Sequence, residues 1–222
     1  MKRLIITIDG PAGAGKTTAS KMLADRLGYK YIDTGALYRG VALEAISAGL
    51  SPDDDKGLER LCQTLQLEFA WGEQGLRLFS QGSDITDKIR TPQITMFASA
   101  ASARPVVRRY LLGLQRDMAR QKGVVFEGRD MGTVVFPDAD VKFFLDADPK
   151  TRASRRYREL AAKTSQTLEE VERDMLCRDK NDSTRKLAPL KPAAEAIIID
   201  STAIDVNAVI DLMLASVNNL LR

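Results

Sequence analysis

Residues 10–18 read GPAGAGKTT, and their types and spacing suit one kind of chemistry. They fit the pattern G-x-x-x-x-G-K-T, in which the backbone N–H groups of a glycine-rich loop surround the phosphates of a nucleoside triphosphate. Glycine adopts the required backbone angles at little steric cost. Lys16 would reach the β- and γ-phosphates of that nucleotide, and the hydroxyl of Thr17 or Thr18 would bind Mg²⁺. The pattern therefore predicts a phosphate-binding loop.

The residues on either side predict the strand and the helix that such a loop requires. Residues 4–8 are an apolar run rich in β-branched side chains, which is typical of a buried strand. Over residues 17–27 apolar side chains recur at helical spacing, and Gly28 marks the end of the helix. This arrangement puts the phosphates at a helix N-terminus, where free N–H groups and the helix dipole favour anions. An ordinary glycine-rich turn with an incidental lysine does not account for both flanks.

Further along the chain, short apolar runs alternate with segments of helical period. Strands are predicted at residues 29–33, 123–126, 141–145 and 197–200, and helices at 36–48, 56–65, 93–103, 106–122, 149–162, 167–182 and 204–221. Between residues 65 and 90 apolar and polar residues alternate around glycine turns, which predicts a small antiparallel β insert. Strands that alternate with helices imply a parallel sheet, so we predict an α/β fold with helices on both faces of the sheet.

Several arginines lie at loop edges or at strand ends rather than on one solvated face. Arginine binds phosphate and carboxylate groups in bidentate fashion, and a kinase must hold two polyanions. Arg129 is the strongest candidate, because it follows a buried strand at the position where open α/β sheets bind ligands. For Arg152, Arg155 and Arg156 a solvated helix face is an equally good interpretation. The other candidates are Arg39, Arg108, Arg178 and Arg185.

Glu127 ends a buried apolar run, where a carboxylate is costly unless it is paired or lies near a metal ion. One interpretation is contact with Mg²⁺, partly through water. The other is a structural partner such as Lys16 or a helix N-terminus. The sequence leaves both open.

The composition is that of a globular protein. Hydrophobic residues make up 44% and charged residues 28% of the 222 residues, and the net charge is +3. This balance argues against nucleic acid as a partner, and no run approaches the ~20 apolar residues of a membrane span. Histidine is absent, which excludes histidine-based triads and histidine metal ligands. Cys62 and Cys177 fit no metal spacing, so we expect reduced thiols in a cytoplasmic protein, which we take to be a monomer.

Longer motifs extend over nearly the whole chain. They are IDTGALYR at residues 32–39, GRDMGTVVFPDA at 128–139, VKFFLDA at 141–147, RDKNDSTR at 178–185, APL at 188–190 and DST at 200–202. Together with GPAGAGKTT they resemble the bacterial cytidylate kinases, of the nucleoside-monophosphate kinase superfamily. The loop alone indicates only the superfamily, whereas GRDMGTVVFPDA and the β insert indicate this family.

The resemblance implies that residues 10–18 hold ATP, that cationic side chains assist the transfer of its γ-phosphoryl group, and that side-chain oxygens contact Mg²⁺. The implied ATP-binding residues are Gly10, Pro11, Ala12, Gly13, Ala14, Gly15, Lys16, Thr17 and Thr18. The implied catalytic residues are Lys16, Arg129, Arg152, Arg155 and Arg156. Thr17, Thr18 and Glu127 are the implied contacts of Mg²⁺, partly through water.

The resemblance also implies a binding site for CMP or dCMP. Thr34 and Arg39 would lie in the monophosphate pocket, where Arg39 and Arg129 would clamp the CMP phosphate. The sugar would be contacted by Arg178 and Asp182, and the cytosine edge would be read by Ser99, Arg108, Asp130 and Arg185.

The fold implied by the resemblance is a three-layer P-loop NTPase core with a parallel sheet. The core would comprise residues 1–36, 93–148 and 186–222, and the monophosphate-binding domain residues 37–92, with its antiparallel β insert at about 65–90. Residues 149–185 would form a helical lid. The chain departs from the family pattern at Thr17, Glu127 and Thr34, where Gly, Asp and Ser are common, so the choice between Thr17 and Thr18 as the Mg²⁺ ligand stays open.

The expected reaction is direct in-line transfer of the γ-phosphoryl group of ATP to CMP or dCMP, without a covalent enzyme intermediate. One alternative is a P-loop kinase for adenylate, uridylate or shikimate. Another is a regulatory GTP-binding switch, which needs an NKxD segment, whereas residues 179–182 read DKND. A third is a nucleic-acid-binding module, for which the chain lacks an aromatic stacking platform.

Overall fold

The computed structural model describes residues 3–72, 75–160 and 166–221. In chain order the elements are β1 Ile5–Asp9, α1 Lys16–Leu27, β2 Lys30–Asp33, α2 Thr34–Ser47, α3 Asp55–Thr64, β3 Leu67–Gly72, β4 Gly75–Ser80, β5 Ser83–Asp84, α4 Pro92–Ala101, α5 Pro105–Met118, β6 Val124–Glu127, β7 Val141–Asp146, α6 Pro149–Leu160, α7 Leu168–Thr184, β8 Ile197–Asp200 and α8 Val206–Leu221. A π-helical turn, Met131–Val135, lies between β6 and β7. The chain divides into two compact units, Met1–Asp33 with Met118–Arg222 and Thr34–Asp117.

Five parallel strands form the sheet of the first unit, in the order β2-β6-β1-β7-β8. Ile8 of β1 pairs with Glu127 of β6, and Asp9 pairs with Phe144 of β7. The carboxyl ends of these three strands therefore meet at one edge, with the loop after β1 in the middle. Ligands of open α/β sheets bind at such an edge. The predicted α/β fold with a parallel sheet is confirmed.

The core of the first unit fixes β1 and α1, the two elements that carry the glycine-rich loop. The side chains of Ile6 and Ile8 are fully buried with Leu23 of α1 and with Ile210 and Met213 of α8. Burying one such side chain contributes about 1.5–3 kcal/mol. The loop is thus held between two elements that are themselves anchored in the core.

The second unit contains α2 to α5 and an antiparallel sheet in the order β3-β4-β5. This sheet is the predicted β insert, although residues 73 and 74 of its predicted turn lie outside the described residues. Asp54 caps α3 by accepting from the Gly57 N–H, and Thr91 caps α4 by accepting from the Ile94 N–H. None of the helices in the described ranges is long and apolar enough to cross a membrane.

The compact units and the predicted domains have different bounds at two places, because the second unit begins at Thr34 rather than at residue 37 and ends at Asp117 rather than at residue 92. The sequence prediction assigns residues 93–148 to the core, whereas the second unit extends to Asp117. Helices α4 and α5 therefore belong to it, because α4 packs against α2. The turn Met131–Val135 was also not predicted, since five residues show no helical period.

Helices α6 and α7, which span most of the predicted lid, pack on each other through Ala153, Val171 and Met175. Helix α7 begins with a capping box in which Thr167 Oγ1 accepts from the Glu170 N–H and Glu170 accepts from the Thr167 N–H. Residues 161–165 of the predicted lid lie outside the described residues.

Candidate active site

The glycine-rich loop follows β1 and turns sharply at Gly10. The backbone of Gly10 has φ +147°, and an added Cβ would lie 2.0 Å from the carbonyl oxygen of Leu145 on β7. Gly13, at φ +73°, also leaves too little room for a side chain, because a Cβ there would lie 2.7 Å from the Arg152 carbonyl oxygen. Only glycine satisfies both the angles and the close approach of neighbouring backbone. The predicted conformational requirement of the loop is therefore met by its geometry.

The carbonyl and N–H groups of the loop are held by side chains from later in the chain. Asp179 on α7 accepts from the Ala12 N–H at 3.3 Å, while Arg152 on α6 donates to the Ala12 carbonyl at 3.0 Å and to Asp179. The Ser201 hydroxyl lies 3.2 Å from the carbonyl oxygen of Ala14. The ion pair of Arg152 and Asp179 thus binds both the N–H group and the carbonyl group of Ala12. Sequence reasoning did not connect these residues, because they lie far apart along the chain.

Lys16 begins α1 and is 96% buried. Its Nζ donates to the Pro11 carbonyl at 2.6 Å, so the side chain folds back along its own loop. Burial lowers the pKa of Lys16 to about 7, the Arg129 guanidinium acts in the same direction, and the Glu127 carboxylate opposes them. A buried ammonium group beside a guanidinium favours an anion, which phosphate would supply.

Glu127, at the end of β6, binds two hydroxyl groups. Thr17 donates to its Oε1 at 2.7 Å and Tyr31 donates to its Oε2 at 2.6 Å. Burial raises the pKa of Glu127, and Asp33 adds to the rise, while Lys16 opposes it. The predicted partner Lys16 therefore acts on Glu127 electrostatically, and Thr17 and Tyr31 bind it directly.

The oxygen atoms of Thr17 and Glu127 fit Mg²⁺. Hard oxygen ligands are those that Mg²⁺ prefers, and in nucleotide sites it takes one or two from the protein and the rest from phosphate and water. Within the described ranges no group of three or more His, Cys, Asp or Glu side chains that could hold a metal ion occurs. A bound cation would also offset the energetic cost of burying the Glu127 carboxylate. Thr17 and Thr18 are both exposed, and it is the hydroxyl of Thr17 that binds Glu127.

Acidic and basic side chains form a network beside the loop. Asp182 on α7 lies at its centre, buried, with Arg129 Nε 3.2 Å from its Oδ2 and Arg185 Nη1 3.8 Å from its Oδ1. Arg178 Nε lies 3.8 Å from the same Oδ2, and Arg185 Nη2 lies 3.4 Å from Asp130 Oδ1. We call these five residues the Asp182 network. Five predicted CMP-binding residues of the first unit are thus brought together.

Asp9, which sequence reasoning missed, ends β1 and is buried. Its two oxygens accept from consecutive backbone amides, that of Met131 at 2.9 Å and that of Gly132 at 2.8 Å. Burial raises the pKa of Asp9 to about 6, against the two amides, which lower it. Its position directly before the glycine-rich loop was the one available signal in the sequence.

The lid arginines have different partners. Besides its loop contacts, Arg152 donates from Nε to the Ala147 carbonyl at 2.9 Å. Arg155 donates to the hydroxyl and the carbonyl oxygen of Ser201 at 2.9 and 2.6 Å. Arg156 donates to Glu159 at 3.0 Å on an exposed part of α6. The direct contact of these arginines with a transferring phosphate stays a prediction.

The second unit contains the remaining predicted CMP-binding residues, Thr34, Arg39, Ser99 and Arg108. Thr34 and Arg39 lie on α2, and Thr34 is buried. The Ser99 hydroxyl on α4 is a buried oxygen for which no hydrogen-bond partner is found among the described residues. Arg108 donates to the Ser102 carbonyl at 3.2 Å and lies 5.9 Å from the centre of the Tyr38 ring. A buried hydroxyl without a partner can bind a polar group of a ligand.

Comparison with known proteins covers nearly the whole chain. A family model described as Cytidylate kinase matches residues 6–219. The cytidylate kinase of Geobacter sulfurreducens is 54% identical over 211 residues, which cover 95% of this chain and 91% of that protein. The cytidylate kinase of Citrifermentans bemidjiense is 50% identical over 215 residues, covering 96% and 92%.

A solved structure of lower similarity supports the fold. Shikimate kinase from Acinetobacter baumannii in complex with shikimate is 15% identical, with a TM-score of 0.50, and the match covers 100% of this chain and 97% of that chain. At this identity the likeness concerns the fold alone.

Proposed function

The chain belongs to the cytidylate kinase family, and we propose that it transfers the γ-phosphoryl group of ATP directly to the 5′-phosphate of CMP or dCMP. The resemblance inferred from the motifs is confirmed by the family model and by the identity to curated cytidylate kinases. The observation that carries the reaction is the glycine-rich loop after β1, whose positive-φ glycines and buried Lys16 follow the end of the strand at the sheet edge. A buried lysine in such a loop at a helix N-terminus favours a polyanionic ligand.

On the ATP side, residues 10–18 bind the triphosphate. The N–H groups of the loop and the N-terminus of α1 contact its oxygens, and Lys16 leaves the Pro11 carbonyl to reach the β- and γ-phosphates. Mg²⁺, held by Thr17 and Glu127, neutralises charge on these phosphates when it is bound. The acceptor phosphate is already an anion, so the protein needs no strong general base. Its contribution is positioning and neutralisation of charge.

On the CMP side, the Asp182 network supplies groups of both signs. Arg129 binds the CMP phosphate, and Arg178 and Asp182 bind the ribose. The carboxylate of Asp130 accepts from the exocyclic amine of cytosine, and Arg185 donates to the ring acceptors. Their separation of 3.4 Å supports this assignment, because adjacent donor and acceptor groups match the cytosine edge. Uracil carries an acceptor in place of the amine and would leave Asp130 without a donor.

The residues of the second unit complete the assignment. We expect Thr34 and Arg39 to bind the CMP phosphate, and Ser99 and Arg108 to contact the base. The buried, unsatisfied hydroxyl of Ser99 supports its part. Closure of the predicted lid, which contains α6 and α7, would exclude water that otherwise hydrolyses ATP. The predicted cations around the transferred phosphoryl group are Arg152, Arg155 and Arg156.

We further propose that the enzyme acts in the cytoplasm as a monomer and does not bind nucleic acid. The two cysteines are free thiols, as expected in a reducing compartment. Light scattering of the active enzyme would test the monomer. A mass of twice 24.5 kDa would contradict it.

An acceptor panel tests the proposed function. ADP release is measured with ATP and Mg²⁺ and with CMP, dCMP, UMP, AMP, GMP or shikimate as acceptor. We expect the fastest turnover with CMP and dCMP, and a loss of about 100- to 1000-fold in Lys16→Ala, because that variant lacks one charge that stabilises the transition state. Faster turnover with another acceptor would contradict the base assignment, and no turnover from folded, ATP-binding protein would contradict the kinase.

A further inference from the structure

A short turn follows the proposed base-reading residue Asp130, and its first amides need acceptors. Asp130 is the N-cap residue of the turn Met131–Val135. An aspartate in this position ordinarily turns its carboxylate onto the amides of the next turn. Here Asp130 makes no such capping bond with its side chain.

Asp9 performs the capping instead. Its Oδ1 accepts from the Met131 amide at 2.9 Å and its Oδ2 accepts from the Gly132 amide at 2.8 Å. The first two amide groups of the turn are thereby satisfied by a residue more than 120 positions earlier in the chain. The carboxylate of Asp130 lies next to Arg185 instead, 3.4 Å from its Nη2.

Gly132 makes this arrangement possible. The turn packs so closely against the sheet that a Cβ at Gly132 would lie 3.1 Å from Thr7 Oγ1 and 3.3 Å from the Lys142 side chain. The close approach brings the amides of the turn within reach of the end of β1. A carboxylate is retained there although burial raises its pKa to about 6, which indicates an energetic cost to keeping the ionised form.

We propose that Asp9 is a positioning residue for base specificity: it caps the turn in place of Asp130, and so keeps the Asp130 carboxylate directed toward Arg185 and the cytosine amine. Without Asp9, we expect the Asp130 carboxylate to turn onto its own turn and to accept from an amide that Asp9 no longer binds. The inference rests on the proposed function, because Asp130 must read the base for its direction to matter.

The test compares Asp9→Asn, Asp130→Asn and the double variant. The measured quantity is the ratio of kcat/KM for CMP to kcat/KM for UMP, with KM for ATP alongside. We expect Asp9→Asn to lower the ratio about tenfold, because a misdirected hydrogen-bonding group in a buried site loses its partner. In the Asp130→Asn background the same substitution changes the ratio less than twofold. KM for ATP changes little, since Arg152, Asp179 and Ser201 hold the loop independently.

Asp140→Asn is the matched control. Asp140 also accepts a backbone amide of β1, that of Ile5 at 2.7 Å, but at the opposite end of the strand. The control measures the general effect of removing a carboxylate that binds β1. It is expected to leave the CMP to UMP ratio unchanged. Asp9→Ser, a smaller acceptor at the same position, repeats the test if Asp9→Asn does not fold.

The outcomes separate the inference from the proposed function. A wild-type enzyme without CMP phosphorylation contradicts the proposed function. A normal wild type, with a ratio that falls in Asp130→Asn and stays unchanged in Asp9→Asn, overturns the role of Asp9 alone. An equal loss of activity with CMP and UMP in Asp9→Asn also overturns it, because a purely structural residue would give that result.

Discussion

The two sides of the site in the first unit are held in different ways. The glycine-rich loop is held through its backbone, by the Leu145 carbonyl that packs on Gly10 and by side chains that bind the polar groups of Ala12 and Ala14. The Asp182 network is held by attraction between charged side chains, with distances between 3.2 and 3.8 Å. One side is therefore fixed by steric fit and the other by charge balance.

This difference has a chemical basis. Triphosphate is bound by N–H groups whose directions must be set before it arrives, and only a rigid backbone sets them. A base and a ribose are bound by side chains, which can exchange one partner for another when the ligand enters. We therefore expect the glycine-rich loop to be more sensitive to an added side-chain atom than to the loss of one. In the Asp182 network we expect the loss of a group to have the larger effect.

Gly10→Ala is the strongest test of the steric side. The added Cβ would lie 2.0 Å from the Leu145 carbonyl oxygen, at a backbone angle that L-residues rarely adopt. Strain and overpacking together should lower the free energy of unfolding by about 2–6 kcal/mol. Displacement of the loop should also lower kcat/KM for ATP at least ~100-fold. Thermal unfolding and the ADP-release assay measure the two effects.

Gly113→Ala is the control for the exchange itself. Gly113 lies inside α5, and a Cβ there meets no atom within 4 Å. Alanine should therefore stabilise the protein by roughly 0.5–1 kcal/mol, through helix propensity. A Gly10→Ala protein with normal stability and activity would show that the loop adapts, and the steric description would be wrong.

Asp182→Asn is the corresponding test of the charge balance. The variant keeps the shape of the side chain but removes the buried anion that faces Arg129, Arg178 and Arg185. Loss of one partner from a buried ionic cluster should lower the free energy of unfolding by about 4 kcal/mol. CMP should restore part of it, because its phosphate supplies negative charge, so the rise in Tm with CMP should exceed that of the wild type.

The control for Asp182→Asn lies on the same helix. Asp174 accepts from Gln166 on an exposed part of α7, and Asp174→Asn should change the free energy of unfolding by less than ~0.5 kcal/mol. If Asp182→Asn has the same small effect, the network contributes no net attraction. If its Tm rises with CMP no more than that of the wild type, the phosphate does not compensate for the lost carboxylate.

Sequence patterns found the loop and the strand ends because those features are local. The spacing of Gly10, Gly15 and Lys16 specifies a conformation by itself, and an apolar run ending in Glu127 specifies a strand end. Contacts between distant segments have no such signature. Nothing in the order of residues pairs Asp9 with Met131, or Thr17 with Glu127, because those contacts depend on which strands are neighbours in the sheet.

The arginines of α6 show the same limit. Arg152, Arg155 and Arg156 share one segment and one predicted role, but the fold gives each a different partner. Helical spacing separates their directions, and only the packing of α6 determines which one reaches the loop. The family resemblance supplied residue roles that neither spacing nor composition could assign.

The buried carboxylate of Asp9 directly precedes the glycine-rich loop and binds the turn that follows Asp130. Its titration makes the free energy of unfolding depend on pH. Its pKa of about 6 in the folded protein lies above the ordinary value of 3.8, so the folded state binds more protons between these pH values. Stability contributed by this group is therefore lost as pH rises through this range, by about 3 kcal/mol in total between about pH 3 and about pH 7. In Asp9→Asn that loss is absent.

Denaturant unfolding at several pH values measures the effect. The free energy of unfolding of the wild type relative to Asp9→Asn should fall by about 3 kcal/mol between about pH 3 and about pH 7 and then level off. A difference that is constant over this range would mean that Asp9 does not titrate there. The bonds to Met131 and Gly132 would then hold its charge more strongly than burial opposes it.

Arg156→Ala should have the smallest effect on folding and so isolates a catalytic contribution. Arg156 pairs with Glu159 three residues later on α6, and its side chain is 39% exposed, so its loss should lower the free energy of unfolding by less than ~0.5 kcal/mol. If the guanidinium contacts the transferring phosphate in the closed lid, kcat should fall about tenfold or more while stability is unchanged. Glu159→Ala removes the same ion pair but keeps the guanidinium of Arg156, so kcat should stay at the wild-type value. If kcat of Arg156→Ala lies within twofold of that of Glu159→Ala, Arg156 does not belong to the catalytic set. Neutralisation of the phosphate charge would then depend on Lys16, which belongs to the glycine-rich loop, and on Arg129, which belongs to the Asp182 network.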